Sequence, residues 1–163
     1  MRESTFAENE KQGMKMTQKK QILIVEDNEF NRAMLSEILS HEYQVLEAEN
    51  GQVALDILQQ HKNSISLILL DVVMPVMDGY EATLRIRKLP NRIRANIPII
   101  ALTANAISDN RKRATEVGMD DFLVKPIHSA RLLSFQRSNY RLCGPGFGGN
   151  HVHPGECLFQ RFR

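Results

Sequence analysis

Short apolar runs and amphipathic stretches alternate along the chain from residue 21 to about residue 128. Five of the apolar runs have the length and composition of strands. Residues 22–25 are continuously apolar and residues 65–70 are apolar except for Ser66, which is typical of strands that are buried on both faces of a sheet. The 65–70 run is the most apolar and is therefore predicted to be the central strand. Three further strands are predicted, near residues 43–48, 97–102 and 122–124.

Apolar residues recur at helical spacing between these runs. In the first predicted helix the apolar face consists of Met34, Leu35, Ile38 and Leu39. The predicted helices begin after Asn28, Asn50 and Asp78, and each of these side chains is a typical N-cap. A fourth helix is predicted over residues 107–117, with Gly118 at its C′ position. Five strands that alternate with helices predict an α/β domain with a parallel sheet, right-handed crossovers and helices on both faces.

The composition of the chain changes at both ends of this domain, which is predicted to span residues 21–136. Residues 1–20 are polar and mixed in charge, and we expect them to form a flexible leader. Residues 128–136 supply only two helical turns, so the fifth helix is expected to be short or irregular. Residues 137–163 are basic and rich in Gly and His, and we expect a flexible tail. This tail predicts neither a dinucleotide site, because no strand precedes its G-x-G-x-x-G pattern, nor a zinc site, because its Cys and His spacing matches no familiar module.

Composition and charge exclude several classes of function. The chain has 163 residues, of which 42% are hydrophobic and 25% are charged, as in soluble globular domains. No apolar run approaches the ~18 residues that a membrane span requires, and the first residues lack the apolar segment of a secretory signal. A net charge of +2 is too small to argue for nucleic-acid binding. Both cysteines lie beyond residue 140, which is consistent with a reducing cytoplasm.

Polar residues follow four of the predicted strands directly. Because the carboxyl ends of parallel strands meet at one edge of the sheet, we expect these residues to converge there. The set contains three carboxylates, a hydroxyl with the following backbone amide, and an ammonium: Glu26 and Asp27 after the first strand, Asp71 after the third, Thr103 and Ala104 after the fourth, and Lys125 after the fifth.

Three carboxylates a few Å apart need a cation, because two unit charges at 4 Å repel by roughly 4 kcal/mol at an effective dielectric constant near 20. An all-oxygen set of this kind favours Mg²⁺. Asp71 ends the most buried strand, where a carboxylate has no packing role, and we predict that it is a nucleophile for phosphorus. Lys125 would neutralise the phosphoryl oxygens, and the Thr103 hydroxyl and the Ala104 N–H would bind them.

Four stretches of the chain resemble the receiver domain of response regulators in two-component signalling. They lie in the family's order and at its spacing, and they cover residues 21 to about 128. The matching stretches are ILIVEDN at 22–28, LDVVMPVMDG at 70–79, IALTANA at 100–106 and GMDDFLVKP at 118–126. The third stretch is similar to receivers of hybrid histidine kinases and phosphorelays.

The resemblance implies a flavodoxin-like, doubly wound fold with strand order 2-1-3-4-5. It implies that Asp71 takes a phosphoryl group from a phosphohistidine of a histidine kinase or a histidine-phosphotransfer protein. Mg²⁺ would be bound by Asp27, Asp71 and the Val73 carbonyl, with Glu26 contributing mainly through water. Thr103 would move toward the phosphoryl group together with Phe122, and Lys125 would precede a cis peptide bond to Pro126.

The resemblance implies that the chain is a signalling phosphoacceptor and not a turnover enzyme. It would catalyse only its own phosphorylation and slow autodephosphorylation. Phosphorylation would switch the surface around the fourth helix and the fifth strand. One alternative is a receiver-like module that binds proteins without phosphorylation, but such modules normally lack Asp71 or Lys125. A second is an Asp-based phosphatase, which commonly has an acid where this chain has Val73. An incomplete fifth helix also leaves homodimer formation open.

Overall fold

Five parallel strands form one sheet in the computed structural model, which describes residues 19–61, 64–104, 108–127 and 132. The strand order is β2-β1-β3-β4-β5, so β3 is central, as predicted. Every neighbouring pair in this sheet is parallel. The strands are β1 (Gln21–Val25), β2 (Gln44–Ala48), β3 (Ile65–Asp71), β4 (Ile99–Thr103) and β5 (Asp121–Val124). The helices are α1 (Glu29–Ser40), α2 (Gly51–Gln60), α3 (Gly79–Arg87), α4 (Arg92–Ala95) and α5 (Ser108–Val117).

Two apolar cores, one on each face of the sheet, hold these layers together. One core contains α2, α3 and α5 side chains, and the other contains α1 side chains and the buried Leu132. β3 is buried along most of its length because both faces are covered, which explains why all of residues 65–70 except Ser66 are apolar. This arrangement confirms the predicted doubly wound α/β fold.

The three predicted N-caps are present. Asn28, Asn50 and Asp78 each accept a hydrogen bond from the backbone N–H three residues later, at 3.0, 3.0 and 2.7 Å. Gly118 follows α5 with a φ of +95°, a conformation that glycine adopts without strain, as its predicted C′ position requires. The local chain geometry at these helix ends therefore follows directly from the residue types.

The structure differs from the predicted elements at three places. Helix α4, a single turn capped by the side chain of Asn91, was not predicted. Met34 was predicted on the apolar face of α1, but this side chain is 40% exposed. The fourth strand was predicted to begin at Ile97, whereas β4 begins at Ile99. Pro98 has no N–H to donate to a neighbouring strand, and the Ile97 carbonyl accepts a hydrogen bond from Arg87 at 2.8 Å.

Several predictions lie outside the described residues. These are the flexible leader up to residue 18, the tail at 137–163, and the fifth helix apart from Leu132. Among the helices that the structure describes, none is both long and apolar enough to cross a bilayer.

Candidate functional site

Three carboxylates meet where β1 and β3 end side by side. Glu26 and Asp27 follow β1, and Asp71 is the last residue of β3. One carboxylate oxygen of each residue lies within 4.8 Å of the others. Glu26 and Asp71 are only 1% and 5% exposed, whereas Asp27 is open to solvent. The predicted acidic cluster is therefore present, and two of its three members are withdrawn from water.

Lys125 reaches this cluster from the end of β5. Its Nζ donates a hydrogen bond to Asp71 Oδ2 at 2.7 Å. The same atom lies 2.6 Å from Glu26 Oε2 and forms an ion pair with that carboxylate. The peptide bond from Lys125 to Pro126 is cis, as the family resemblance implied. One ammonium thus contacts both buried acids.

Burial and charge act in opposite directions on these groups. Burial raises the pKa of Asp71, and Glu26 raises it further, although Lys125 and the Val73 N–H favour the ionised form. Burial by itself would lower the pKa of Lys125, but its contacts with Asp71 and Glu26 raise it. Lys125 is therefore held in its charged form, while the carboxylates still carry more negative charge than one ammonium neutralises.

The first turn of α1 holds Glu26 in place. Asn31 Nδ2 donates to Glu26 Oε1 at 3.2 Å, and the Asn28 N–H donates to the same oxygen at 3.4 Å. Arg32 donates to the Glu26 carbonyl at 2.8 Å and forms an ion pair with Glu47 of β2 at 3.3 Å. Asn31 and Arg32 were not predicted as part of the site. Their positions in the turn that follows an acidic pair are the signal that could have identified them.

The loop after Asp71 is tightly folded against the end of β3. The Val73 N–H donates to Asp71 Oδ1 at 3.2 Å, and the Gly79 N–H donates to the Val72 carbonyl at 3.0 Å. Val76 has a φ of +69°, and the Met77 N–H donates across it to the Pro75 carbonyl at 2.8 Å, which closes a strained γ-turn. Strained backbone of this kind is often found at functional sites.

The remaining predicted residues surround the same edge. Thr103 is the last residue of β4 and is buried, and its carbonyl accepts the Lys125 N–H at 2.7 Å. Ala104 is exposed directly after it. Phe122 pairs with Ala101 in the β4–β5 register and is partly buried on the same sheet face as Thr103. The structure thus brings Glu26, Asp27, Asp71 and Lys125 together and places Thr103, Ala104 and Phe122 beside them.

The donor set fits Mg²⁺. It consists of hard oxygen ligands, and three carboxylates face one ammonium in the cluster, which leaves a formal charge of −2. That Val73 supplies a carbonyl ligand stays a prediction.

Residues 22–136 match the family model described as the response regulator receiver domain. The chain is 44% identical over 107 residues to the sensor histidine kinase RcsC of Escherichia coli. This match covers 65% of the chain but only 11% of the kinase. The chain therefore spans about a tenth of the length of this relative.

Two solved structures show the same fold. The receiver domain of the sensor histidine kinase PA1611 from Pseudomonas aeruginosa, with a magnesium ion coordinated in its active-site cleft, has a TM-score of 0.65 and 38% identity over 73% of this chain and 96% of its own. The co-crystal structure of the Saccharomyces cerevisiae histidine phosphotransfer protein Ypd1 with the receiver domain of Ssk1 matches with a TM-score of 0.63 and 32% identity, over 73% of this chain and 86% of that chain. From the family match, the strand order and these similarities, we conclude that this chain belongs to the response regulator receiver domain family.

Proposed function

We propose that Asp71 accepts a phosphoryl group from a phosphohistidine and that Mg²⁺ is required for the transfer. The observation that carries the proposal is the contact of Lys125 Nζ with Asp71 Oδ2 at 2.7 Å, within a cluster of three carboxylates at the carboxyl edge of the sheet. Burial of a carboxylate costs free energy, and an ion pair that served only to balance charge could form at the surface without this cost. The burial of Asp71 therefore favours a chemical role for the pair.

The transfer exchanges one bond for another. A carboxylate oxygen of Asp71 forms a P–O bond as the P–N bond to the donor imidazole breaks, and the imidazole nitrogen keeps the electron pair. Lys125 neutralises the negative charge of the phosphoryl oxygens. The Thr103 hydroxyl and the Ala104 N–H are proposed to hydrogen-bond them. Asp27, Asp71 and the Val73 carbonyl would hold Mg²⁺, with Glu26 acting through water, and the bound ion would supply further positive charge for the same oxygens.

The product is a modified protein and not a released compound. We propose that the acyl phosphate at Asp71 draws Thr103 and Phe122 toward the site and so changes the surface around β5 and α5, which is the fourth of the predicted helices. A modest difference in free energy is enough for such a switch, because the phosphoryl group binds one arrangement selectively. The functional unit is proposed to span residues 21–136 and to act in the cytoplasm.

Incubation with acetyl phosphate tests the proposal directly. With Mg²⁺, we expect the intact mass to increase by one phosphoryl group, and we expect no increase for Asp71→Asn or after chelation of Mg²⁺. The amide matches the carboxylate in shape but is not a nucleophile for phosphorus. Fast turnover of acetyl phosphate without a modified protein would favour the phosphatase alternative. No modification in the presence of Mg²⁺ would favour a module that binds proteins without phosphorylation.

The donor is proposed to be a protein, namely a histidine kinase or a histidine-phosphotransfer protein. Large apolar side chains are exposed close to the acidic cluster: Val73 is 79% exposed, Val76 83% and Phe30 86%. Val73 lies two residues after Asp71, and the Cα of Phe30 lies within about 11 Å of that of Asp27, since only three peptide units separate them. Exposed apolar side chains next to a reactive site are typical of protein interfaces and are not needed for a small phosphodonor.

We expect Phe30→Ser to separate the two kinds of donor. Loss of one exposed aromatic anchor should lower kcat/KM for transfer from a phosphorylated histidine-phosphotransfer protein, with Ypd1 as the first donor used, by roughly 5- to 30-fold. Phosphorylation by acetyl phosphate should stay within about twofold of the unsubstituted protein. Ile93→Ser is the matched control, because Ile93 is 60% exposed on α4, which precedes β4 and lies at the opposite edge of the sheet. A docking role for Phe30 would be contradicted if Phe30→Ser lowered kcat/KM equally for the protein donor and for acetyl phosphate. It would also be contradicted if Ile93→Ser lowered kcat/KM for the protein donor as much as Phe30→Ser.

A further inference from the structure

Helix α5 carries little apolar surface with which to pack against the domain. Within residues 110–117, where its side chains are described, Ala114 is buried and Val117 is partly buried. The other six side chains are exposed and polar. Apolar burial is the main force that holds an amphipathic helix on a sheet. Other contacts must therefore contribute an unusually large share of the attachment of α5.

Two arginines of α5 supply such contacts. The Arg111 guanidinium carbon lies 4.3 Å from the centroid of the Phe122 ring, and that of Arg113 lies 4.1 Å from the centroid of Tyr80. Both distances are well within the range of cation–π interactions. Phe122 belongs to β5 and Tyr80 to α3, so the arginines attach α5 to two different elements.

Both rings border one cleft beneath α5. This cleft is small, with a volume of about 10 Å³, which is room for about one water molecule. Its walls include Thr103, Ala101, Tyr80, Phe122, Arg111 and Ala114. Ala101 pairs with Phe122 in the sheet register, and both residues line the cleft. The proposed movements of Thr103 and of the Phe122 ring would therefore enter the same confined space.

Arg111 lies on the outer side of this space. It is exposed, whereas Phe122 is only partly buried, so the guanidinium covers the ring from the side of the solvent. A turn of the ring into the cleft, toward Thr103, would carry it away from this cation. The contact with Arg111 thus favours the outer position of the ring.

We propose that Arg111 is a positioning residue for phosphoryl acceptance, which holds Phe122 in its outer position and so opposes the inward arrangement of Phe122 and Thr103. This inference rests on the proposed function of Asp71. A cation–π contact at an exposed site changes an equilibrium constant about two- to fivefold. By linkage, removal of the contact should tighten the binding of any ligand that selects the inward arrangement by the same factor.

Beryllium fluoride, which binds carboxylates as a phosphoryl mimic, provides an equilibrium test in buffer with Mg²⁺. We expect Arg111→Gln to bind it about two- to fivefold more tightly than the unsubstituted protein, as measured by calorimetry. Arg111→Lys keeps the positive charge but loses the planar guanidinium that stacks on the ring. Its affinity for beryllium fluoride should therefore lie between those of Arg111→Gln and the unsubstituted protein. Arg113→Gln is the matched control, since it removes the same charge from the same helix and should leave the affinity unchanged. Unchanged or weaker binding by Arg111→Gln would overturn the proposal, as would equal tightening by Arg113→Gln.

A second measurement uses the unmodified protein without any mimic. In Arg111→Gln, nuclear Overhauser effects between the Phe122 ring protons and the Thr103 methyl group should become stronger, because the ring spends more time turned inward. The same effects should not change in Arg113→Gln. If the unsubstituted protein fails to bind the mimic, the proposed function fails, but this comparison still decides the role of Arg111: an unchanged ring position in Arg111→Gln overturns it.

Discussion

Replacement of Gly79 by alanine is expected to destabilise the domain by about 3 kcal/mol, or roughly 10 °C in Tm. A Cβ atom at this position would lie 2.3 Å from the carbonyl oxygen of Asp71 and 2.9 Å from the Cα of Val72. Both are backbone atoms of the segment that carries Asp71, and they cannot move aside as a flexible side chain can. The conflict must therefore displace either the start of α3 or the end of β3. Thermal unfolding followed by circular dichroism measures the loss.

Gly51→Ala is the matched control for this substitution. Gly51 is also the first residue of a helix after a side-chain N-cap, and a Cβ there would lie 2.9 Å from Ala82 Cβ and from two side-chain atoms of Met77. The Met77 side chain is flexible and can yield, and the contact with Ala82 Cβ requires only a small shift between α2 and α3, so we expect a smaller loss of stability, about 1–2 kcal/mol. Because the conflict at Gly79 involves Asp71, Gly79→Ala should also slow phosphorylation by acetyl phosphate at temperatures where the variant is folded, and Gly51→Ala should not. A Gly79 variant as stable as the Gly51 variant would show that the loop after β3 tolerates a side chain.

Arg87→Met is expected to lower the free energy of unfolding by about 3 kcal/mol. Its guanidinium donates to the carbonyls of Gly118, Ala95 and Ile97 at 2.9, 2.7 and 2.8 Å, and to Asp120 Oδ2 at 2.9 Å. The side chain is partly buried, so the substitution leaves several acceptors without a donor. Methionine keeps the aliphatic stem, which separates the loss of hydrogen bonds from the loss of packing.

Arg85→Met is the control from the same helix. Arg85 is exposed and forms an ion pair with Glu81 one turn away, a contact worth about 0.5 kcal/mol or less. Urea unfolding should give a much lower midpoint for Arg87→Met than for Arg85→Met at a similar m-value. Arg87→Lys should recover little of the loss, because one ammonium cannot reach acceptors that lie in several directions around a planar guanidinium. Equal urea midpoints for Arg87→Met and Arg85→Met would show that the hydrogen bonds of Arg87 do not stabilise the packing of α3 against the segments around Ala95 and Gly118.

The strands, the helix caps and the edge of the sheet that carries the site could all be predicted from the sequence. Apolar periodicity identifies elements because each must cover one face, and N-cap residues act on backbone groups only three positions away. Glu26, Asp71 and Lys125 could be grouped from their positions in the sequence, because parallel strands present their carboxyl ends at one edge.

The boundary of β4, the helix α4 and the exposure of Met34 could not be predicted in this way. The Ile97 carbonyl is taken by Arg87, ten residues earlier in the chain, and the residues around Ile97 form no local pattern that indicates this bond. Whether an apolar residue on a helix is covered depends on the neighbouring layer as well as on the helix itself.

The amino-acid sequence by itself determines the doubly wound sheet and which residues gather at its carboxyl edge. This is possible because backbone geometry and apolar periodicity act over a few residues at a time. Only the tertiary structure decides that Lys125 contacts both buried acids, that Gly79 lies against the backbone of Asp71, and that Arg111 covers Phe122. Each of these contacts joins separate elements. Their distances are determined by how whole helices and strands pack, which short-range periodicity does not encode.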